Sequence, residues 1–564
     1  MSAAVASPNE RTSEPAPPLE AAEIVALPSA RGVAGGLVGA IARPGALARE
    51  TVRLGRDVVS ILRGTDRLAP SAQDERFTDP AWRENPAYRR LGQAYLAWGS
   101  SLNRLVDRYE AEGADWRDVE RARFALTALT SGMAPTNTLL GNPAALKRAI
   151  DTGGRSIVRG MGHLVEDFVH HGGLPAQTDR SEFAVGRNLA VTRGAVVYRD
   201  DVIELLQYRP TTERVRQRPL VIVPPPIGRF YFLDLARERS FVEYAVGQGL
   251  QMFMISWRNP ARQQAGWNLD TYAERIRRAI GVAREITGSP DVNTMGFCAG
   301  GILLTTVLNH LTAIADRSVH SAAYAVTLLD FDSPAPMAAF SGRRGPGAGR
   351  RKPRTHGVIP ARSMESAFSW MRPDDLVFHS LVHQWLMGED PPASALLAWY
   401  ADGTNLPTAL HKQFLQIFQD NTLVRPGAVT VLGSPVDLGE ITLPTFVLGA
   451  VADHLTPWTG CYRTTQLLSG PATFLLSSGG HLQSLVNPPG NPEASYWTGG
   501  APGPDPQDWR AAAEWHAGNW WECWAPWTIE RSGDEVPAPA ELGSAVHPPL
   551  EPAPGSYVRD RPSA

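Results

Sequence analysis

Apolar positions change their rhythm partway along the chain. From about Leu91 to Phe168, Ala, Leu, Arg and Glu recur with few strand-like runs. Stretches such as ARFALTALTSG (122–132) and PAALKRAIDTGGRSIVRGMGHLVEDFV (143–169) read as amphipathic helices interrupted by Gly or Pro. A mainly helical N-terminal domain is therefore expected over 26–195. Beyond it the texture shortens into six apolar runs that read as strands. These are PLVIVPPP (219–226), LQMFMISW (250–257), VNTMGFC (292–298), AAYAVTLLDF (322–331), LPTFVLGAVAD (443–453) and ATFLLSSGG (472–480). Helical text such as TYAERIRRAIGVAREI (271–286) lies between several of them. Apolar strands alternating with helices mark a parallel sheet covered on both faces, so 196–564 is read as an α/β domain. Its longest interruption, about 333–442, is read as a cap, because such sheets bind ligands beyond the carboxyl ends of their strands.

Composition narrows this picture. With 43% hydrophobic residues in 564, the chain can fill a large core and a second unit. A net charge of -3 gives no general basis for binding nucleic acid. Three cysteines without a CxxC pair do not form a disulfide framework, and a reducing, cytoplasmic setting is expected. Residues 1–25 are rich in Ala, Pro, Glu and Ser and lack a basic n-region, so they read as a disordered tail. The apolar run from Val33 to Ala42 is too short to cross a bilayer, and no transmembrane segment is expected.

Chemistry concentrates at Gly296-Phe297-Cys298-Ala299-Gly300, a nucleophile elbow with Cys in place of Ser. An apolar strand precedes it and the helical GILLTTVLNHL (301–311) follows. Bulk at Gly296 or Gly300 would collide with neighbouring backbone in so tight a turn. The sulfur then sits beside a helix N-terminus, which favours a thiolate. The fold expected is the α/β-hydrolase fold, with Cys298 as nucleophile. The backbone N–H of Ala299 is the natural first oxyanion donor, and the loop around Ile227 and Gly228 supplies the second. The chain order of such sites is nucleophile, acid, histidine. Asp453 ends one apolar strand and His481 follows another after a Gly-Gly turn, so they are the expected acid and base. Asp330 and Asp332 are rival acids. His454 adjoins Asp453, which alone does not make it a base.

Other features carry less. His170 and His171 lack metal-ligand spacing and read as surface or packing residues. Arg343, Arg344, Arg350, Arg351 and Lys352 read as a solvated loop rather than a polyanion site. The Trp-rich tail (Trp515, Trp520, Trp521, Trp524, Trp527) argues for a C-terminus folded against the main domain. Cys461 and Cys523 have no elbow around them and read as passive. The residues by themselves leave hydrolysis and acyl transfer equally open, with a non-catalytic hydrolase-fold protein as a third reading.

From ERFTDPAWRENP (75–86) onward the chain resembles the polyhydroxyalkanoate synthases of the long, single-subunit type. These enzymes polymerise 3-hydroxyacyl-CoA into storage polyester such as poly-3-hydroxybutyrate. The resemblance is carried by GRNLAVTRGAVVYRDDVIELLQY (186–208), PLVIVPPPIGRFYFLDL (219–235), ISWRNP (255–260), GFCAGG, TLLDF, ADGTNLP (401–407), NTLVRPG (421–427), ADHLTPW and GGHLQSLVNPPGNPEASYW. It implies that Cys298 holds the growing acyl chain, with Asp453 and His481 as its catalytic partners. It also implies a homodimer, contact with a polyester granule surface, and no cofactor, since CoA arrives with the substrate and is released. The family's PPWINKFY reads PPPIGRFY here, with Pro226 for Trp and Gly228 for Asn. The aromatic-Asn pair usual before ADxTN reads Trp399-Tyr400, and the Phe-Asp before that reads Ser394-Ala395. A thioesterase or polyester depolymerase on the same fold is the competing enzymatic reading.

Overall fold

The computed structural model describes residues 39, 43–72, 74–332, 334 and 357–561. The expected tail (1–25), most of the 33–42 run and the arginine-rich patch (341–354) lie outside the described residues.

The N-terminal region forms α1 (Pro44–Arg63), α2 (Pro86–Ala111), α3 (Trp116–Gly132), α4 (Pro143–Asp151) and α5 (Arg155–His170). Their starts follow from capping chemistry. Asn85, Asp115 and Asn142 each accept a hydrogen bond from a first-turn N–H, and Pro86 and Pro143 occupy the position where a missing N–H costs nothing. Gly153 and Gly154, both at positive φ, turn the chain between α4 and α5.

Eleven strands form one sheet: β1 (Gly194–Arg199), β2 (Ile203–Tyr208), β3 (Leu220–Val223), β4 (Met252–Trp257), β5 (Val292–Phe297), β6 (Val319–Ala325), β7 (Thr445–Ala450), β8 (Ala472–Ser477), β9 (Ser495–Thr498), β10 (Glu514–Ala517) and β11 (Glu551–Pro552). Their spatial order is β10-β9-β8-β7-β6-β5-β3-β4-β2-β1-β11. Every pairing from β8 through β4 is parallel, and these are the six strands read from the apolar runs. The outer pairings are antiparallel. Along each parallel strand the side chains alternate between two cores. Val221, Val223, Phe253 and Ile255 pack with α6 (Leu269–Thr287) and α7 (Ala299–Ala313). Leu220, Ile222, Met252, Met254 and Phe297 pack with Phe241 and the C-terminal tryptophans.

Trp520, Trp521 and Trp524 are fully buried around Phe241, as expected of a folded C-terminus. Such ring pairs contribute about 0.5–1.5 kcal/mol each beyond area burial. Trp527 lies 5.5 Å from the Phe446 ring, whereas Trp515 is exposed. Between β6 and β7 the described chain forms α8 (Ala361–Met371), π-helical turns at Asp374–Phe378 and Val382–Leu386, α9 (Ala395–Tyr400) and α10 (Thr408–Asp420). The second π-helical turn is the seat of α5. A Cβ on Gly160 would stand 2.0 Å from the Trp385 carbonyl oxygen, and Trp385 Nε1 donates to Asp167 Oδ2 at 2.7 Å.

Candidate active site

Cys298 stands between β5 and α7 with φ 50° and ψ -125°, a conformation that costs a non-glycine residue energy and is held by what surrounds it. Its N–H donates to the Ala325 carbonyl at 2.9 Å, and its own carbonyl accepts from Thr327 Oγ1 at 3.1 Å. The glycines answer the steric demand read from the sequence. A Cβ on Gly296 would lie 2.5 Å from the Gly301 Cα, and one on Gly300 would lie 2.2 Å from the Val223 carbonyl oxygen. Ala299 opens α7, so its N–H has no carbonyl one turn earlier in the helix and is free for an oxyanion.

His481 begins α11 (His481–Val486), directly after the Gly-Gly turn that follows β8. Its Nδ1 lies 2.7 Å from Asp453 Oδ2. That contact leaves Nε2 on the far side of the ring from the carboxylate, and Cys298 lies close enough to help raise the His481 pKa. The imidazole and the carboxylate are buried, at 8% and 6% exposure. Burial would lower the His481 pKa, but the Asp453 carboxylate and then Cys298 outweigh it and push it up to about 10. Burial works against the Asp453 charge too. The His481 charge, followed by hydrogen bonds from His481 and Thr456, holds its carboxyl below the usual range. An imidazolium facing a sulfur stabilises negative charge there.

Sequence reading missed Thr456. Its hydroxyl donates to Asp453 Oδ2 at 2.6 Å and lies 3.3 Å from His481 Nδ1, while its N–H and that of Leu455 donate to Asp453 Oδ1 at 2.9 and 2.8 Å. The signal was an Asp followed three residues later by Thr, a local side-chain-to-backbone turn.

The rival acids are engaged elsewhere. Asp330 pairs with Arg463 at 2.9 Å and accepts from Asn421 at 2.8 Å. Asp332 accepts from the Trp116 indole at 3.3 Å. His454 is pushed down to about 4, first by burial and then by the positive charges of Arg372 and His481, so it is neutral at pH 7. The buried Cys461 thiol is raised well above its ordinary value by burial, and its Sγ faces the Thr456 carbonyl at 3.5 Å. Burial also raises Cys523. His171 Nδ1 sits 2.7 Å from Asp167 Oδ1.

Of the two loop positions considered for the second oxyanion donor, Gly228 is occupied. Its N–H donates to Thr404 Oγ1 at 2.9 Å, which leaves Ile227 as the loop's candidate. Gly228 takes φ 84°, and a Cβ there would stand 3.1 Å from the Trp399 ring. Two changed positions of the PPWINKFY stretch, 226 and 228, thus lie against the segment Trp399 to Thr404 between β6 and β7.

Known proteins place this arrangement in context. A family described as "Poly-beta-hydroxybutyrate polymerase (PhaC) N-terminus" matches residues 73–245, and one described as "alpha/beta hydrolase fold" matches 232–488. The chain is 41% identical to Poly(3-hydroxyalkanoate) polymerase 1 of Ectopseudomonas oleovorans, over 93% of each chain. It is 39% identical to the Poly(3-hydroxyalkanoate) polymerase subunit PhaC of Cupriavidus necator, covering 86% of this chain and 83% of the relative.

Proposed function

Since this chain belongs to the poly(3-hydroxyalkanoate) polymerase family, we propose that it polymerises (R)-3-hydroxyacyl units from CoA thioesters through a chain held on Cys298. The observation that supports the site assignment is the 2.7 Å contact between His481 Nδ1 and Asp453 Oδ2, near Cys298 on its strained elbow.

His481 takes the thiol proton and the thiolate attacks the thioester carbonyl carbon. The N–H groups of Ala299 and Ile227 hold the resulting oxyanion. The carbon–sulfur bond to CoA breaks, and CoA leaves with the proton from His481. The 3-hydroxyl of another hydroxyacyl unit then attacks the Cys298 thioester while His481 accepts its proton, so an ester forms and the sulfur is released. Asp453 fixes the imidazole tautomer and stabilises its cation. A thioester intermediate lies near the CoA thioester in energy, so repeated transfer meets no deep trap. No cofactor enters the proposal, because CoA is carried by the substrate.

Homodimerisation and attachment to polyester granules belong to the same proposal. They are supported by family membership and by an exposed apolar row on α5, formed by Val158, Met161, Val165 and Phe168. Among the described residues no helix is long and apolar enough to cross a membrane.

The test is product analysis with short-chain and medium-chain 3-hydroxyacyl-CoAs, following CoA, free acid and polymer. Polymer in step with CoA is expected. Free acid in step with CoA, without polymer, would replace the synthase with a thioesterase. Cys298→Ala is expected to lower CoA release by about a thousandfold or more.

A further inference from the structure

The loop 224–229 leaves the end of β3, where the Val223 and Pro224 backbone abuts Gly300 of the elbow, and is tied down by one short segment of the cap. Trp399 Nε1 donates to the Arg229 carbonyl at 2.8 Å. Asp402 Oδ2 pairs with the buried Arg229 guanidinium at 3.0 Å and accepts from Tyr231 at 2.9 Å. Between them, Thr404 uses its one hydroxyl twice. Oγ1 accepts from the Gly228 N–H at 2.9 Å and donates to the Pro226 carbonyl over a longer 3.4 Å. Thr404 is 6% exposed, and no bulk water competes for those bonds.

The Pro226 carbonyl and the Ile227 N–H belong to the same peptide plane. In a trans peptide these two groups point in opposite directions. A hydroxyl holding the carbonyl from the cap side therefore turns the Ile227 N–H away from the cap segment. The bond from Gly228 fixes the next plane, so the Ile227 unit is pinned at both ends by one atom. The following residue, Asn405, anchors the same segment to a second catalytic-edge loop. Its N–H donates to Asn259 Oδ1 at 2.9 Å, and its Nδ2 donates to the Pro260 carbonyl at 3.0 Å.

We infer that Thr404 is a positioning residue that sets the orientation of the Ile227 oxyanion donor and makes that donor depend on the seating of the cap. This rests on the reading of Cys298 as nucleophile and Ile227 as second donor. An N–H tilted out of line weakens only the charge that develops in the transition state, so the loss falls on kcat rather than on substrate binding.

The experiment compares wild type, Thr404→Val and Thr404→Ser in the full-length protein, with initial CoA release from 3-hydroxybutyryl-CoA and thermal unfolding as readouts. Valine keeps the shape and removes the oxygen. Thr404→Val is expected to lower kcat about tenfold to a hundredfold, with KM within about threefold and the unfolding midpoint within a few degrees. Thr404→Ser is expected to recover most of that loss. The inference is overturned if Thr404→Val keeps kcat within about twofold, if serine fails to rescue, or if KM rises as much as kcat falls. Cys298→Ala is run beside them. Undiminished CoA release by that variant would instead remove the nucleophile reading, whatever Thr404 does.

Discussion

Asp453 satisfies its two oxygens in different ways. Oδ1 takes the N–H groups of Leu455 and Thr456, and Oδ2 takes the Thr456 hydroxyl and His481. A carboxylate held by four partners cannot turn away from the imidazole without breaking several bonds. Asp453→Asn is therefore expected to leave the fold close to normal and to slow turnover about 10³–10⁴-fold, read as steady-state CoA release. The same pair makes stability depend on pH. The His481 pKa rises from 6.5 to about 10 on folding, so its contribution is full below pH 6.5 and is lost as pH climbs towards 10. Asp453 moves down from 3.8, so its contribution is full above that value and is lost as pH falls through the folded pKa. The difference in unfolding midpoint between wild type and His481→Gln is thus expected to be widest between pH 3.8 and 6.5 and to narrow towards pH 10. A difference that stays constant to pH 10 would contradict this. At this scale strand ends and chain order singled out Cys298, His481 and Asp453, and the fold brings the last two into contact. The sequence did not single out Thr456 or Thr404, because threonines are common and only their partners distinguish these two.

Elements place those residues. The six parallel strands were legible because burial on both faces makes each a short continuous apolar run. Strands β9 and β10 were not legible, because they are half-buried or exposed, and β11 has two residues. Strands β1 and β2 sat within text read only for its resemblance. The contact of α5 with the π-helical turn was invisible for a different reason. It joins residues more than two hundred positions apart, and its closest point is a glycine, Gly160, under the Trp385 carbonyl. Gly160→Ala would put a methyl group 2.0 Å from that oxygen, so backbone must move. Faster hydrogen exchange is expected across 155–170 and 382–390, with the strands β3 to β7 unchanged. Exchange unaltered in both segments would show that the contact yields without cost.

The molecule as a whole is closed by its C-terminus. Glu204 on β2 is fully buried, pairs with Arg199, and accepts the N–H groups of Ser556 at 3.1 Å and Tyr557 at 3.0 Å. The Arg229 guanidinium donates to the Tyr557 carbonyl at 3.2 Å, so the same terminal segment also supports the last residue of the 224–229 loop. Removing residues 551–564 would strip hydrogen bonds from a buried carboxylate, at a cost of about 2 kcal/mol or more. A lower urea midpoint is expected, with turnover per folded molecule also reduced through Arg229. An unchanged midpoint would mean that Arg199 alone satisfies Glu204.

What the sequence determined by itself was the part of the protein written in local signals: buried parallel strands, capped helices and the glycine-flanked elbow. Those depend on residues within a few positions of one another, so the chain shows them directly. The tertiary structure decided which carboxylate meets His481, that Gly228 is already engaged by Thr404, and that α5 seats on the π-helical turn at Val382–Leu386. Each of these joins side chains distant in sequence. Burial and hydrogen-bond geometry choose among chemically equal candidates such as Asp330, Asp332 and Asp453 only once the chain is folded.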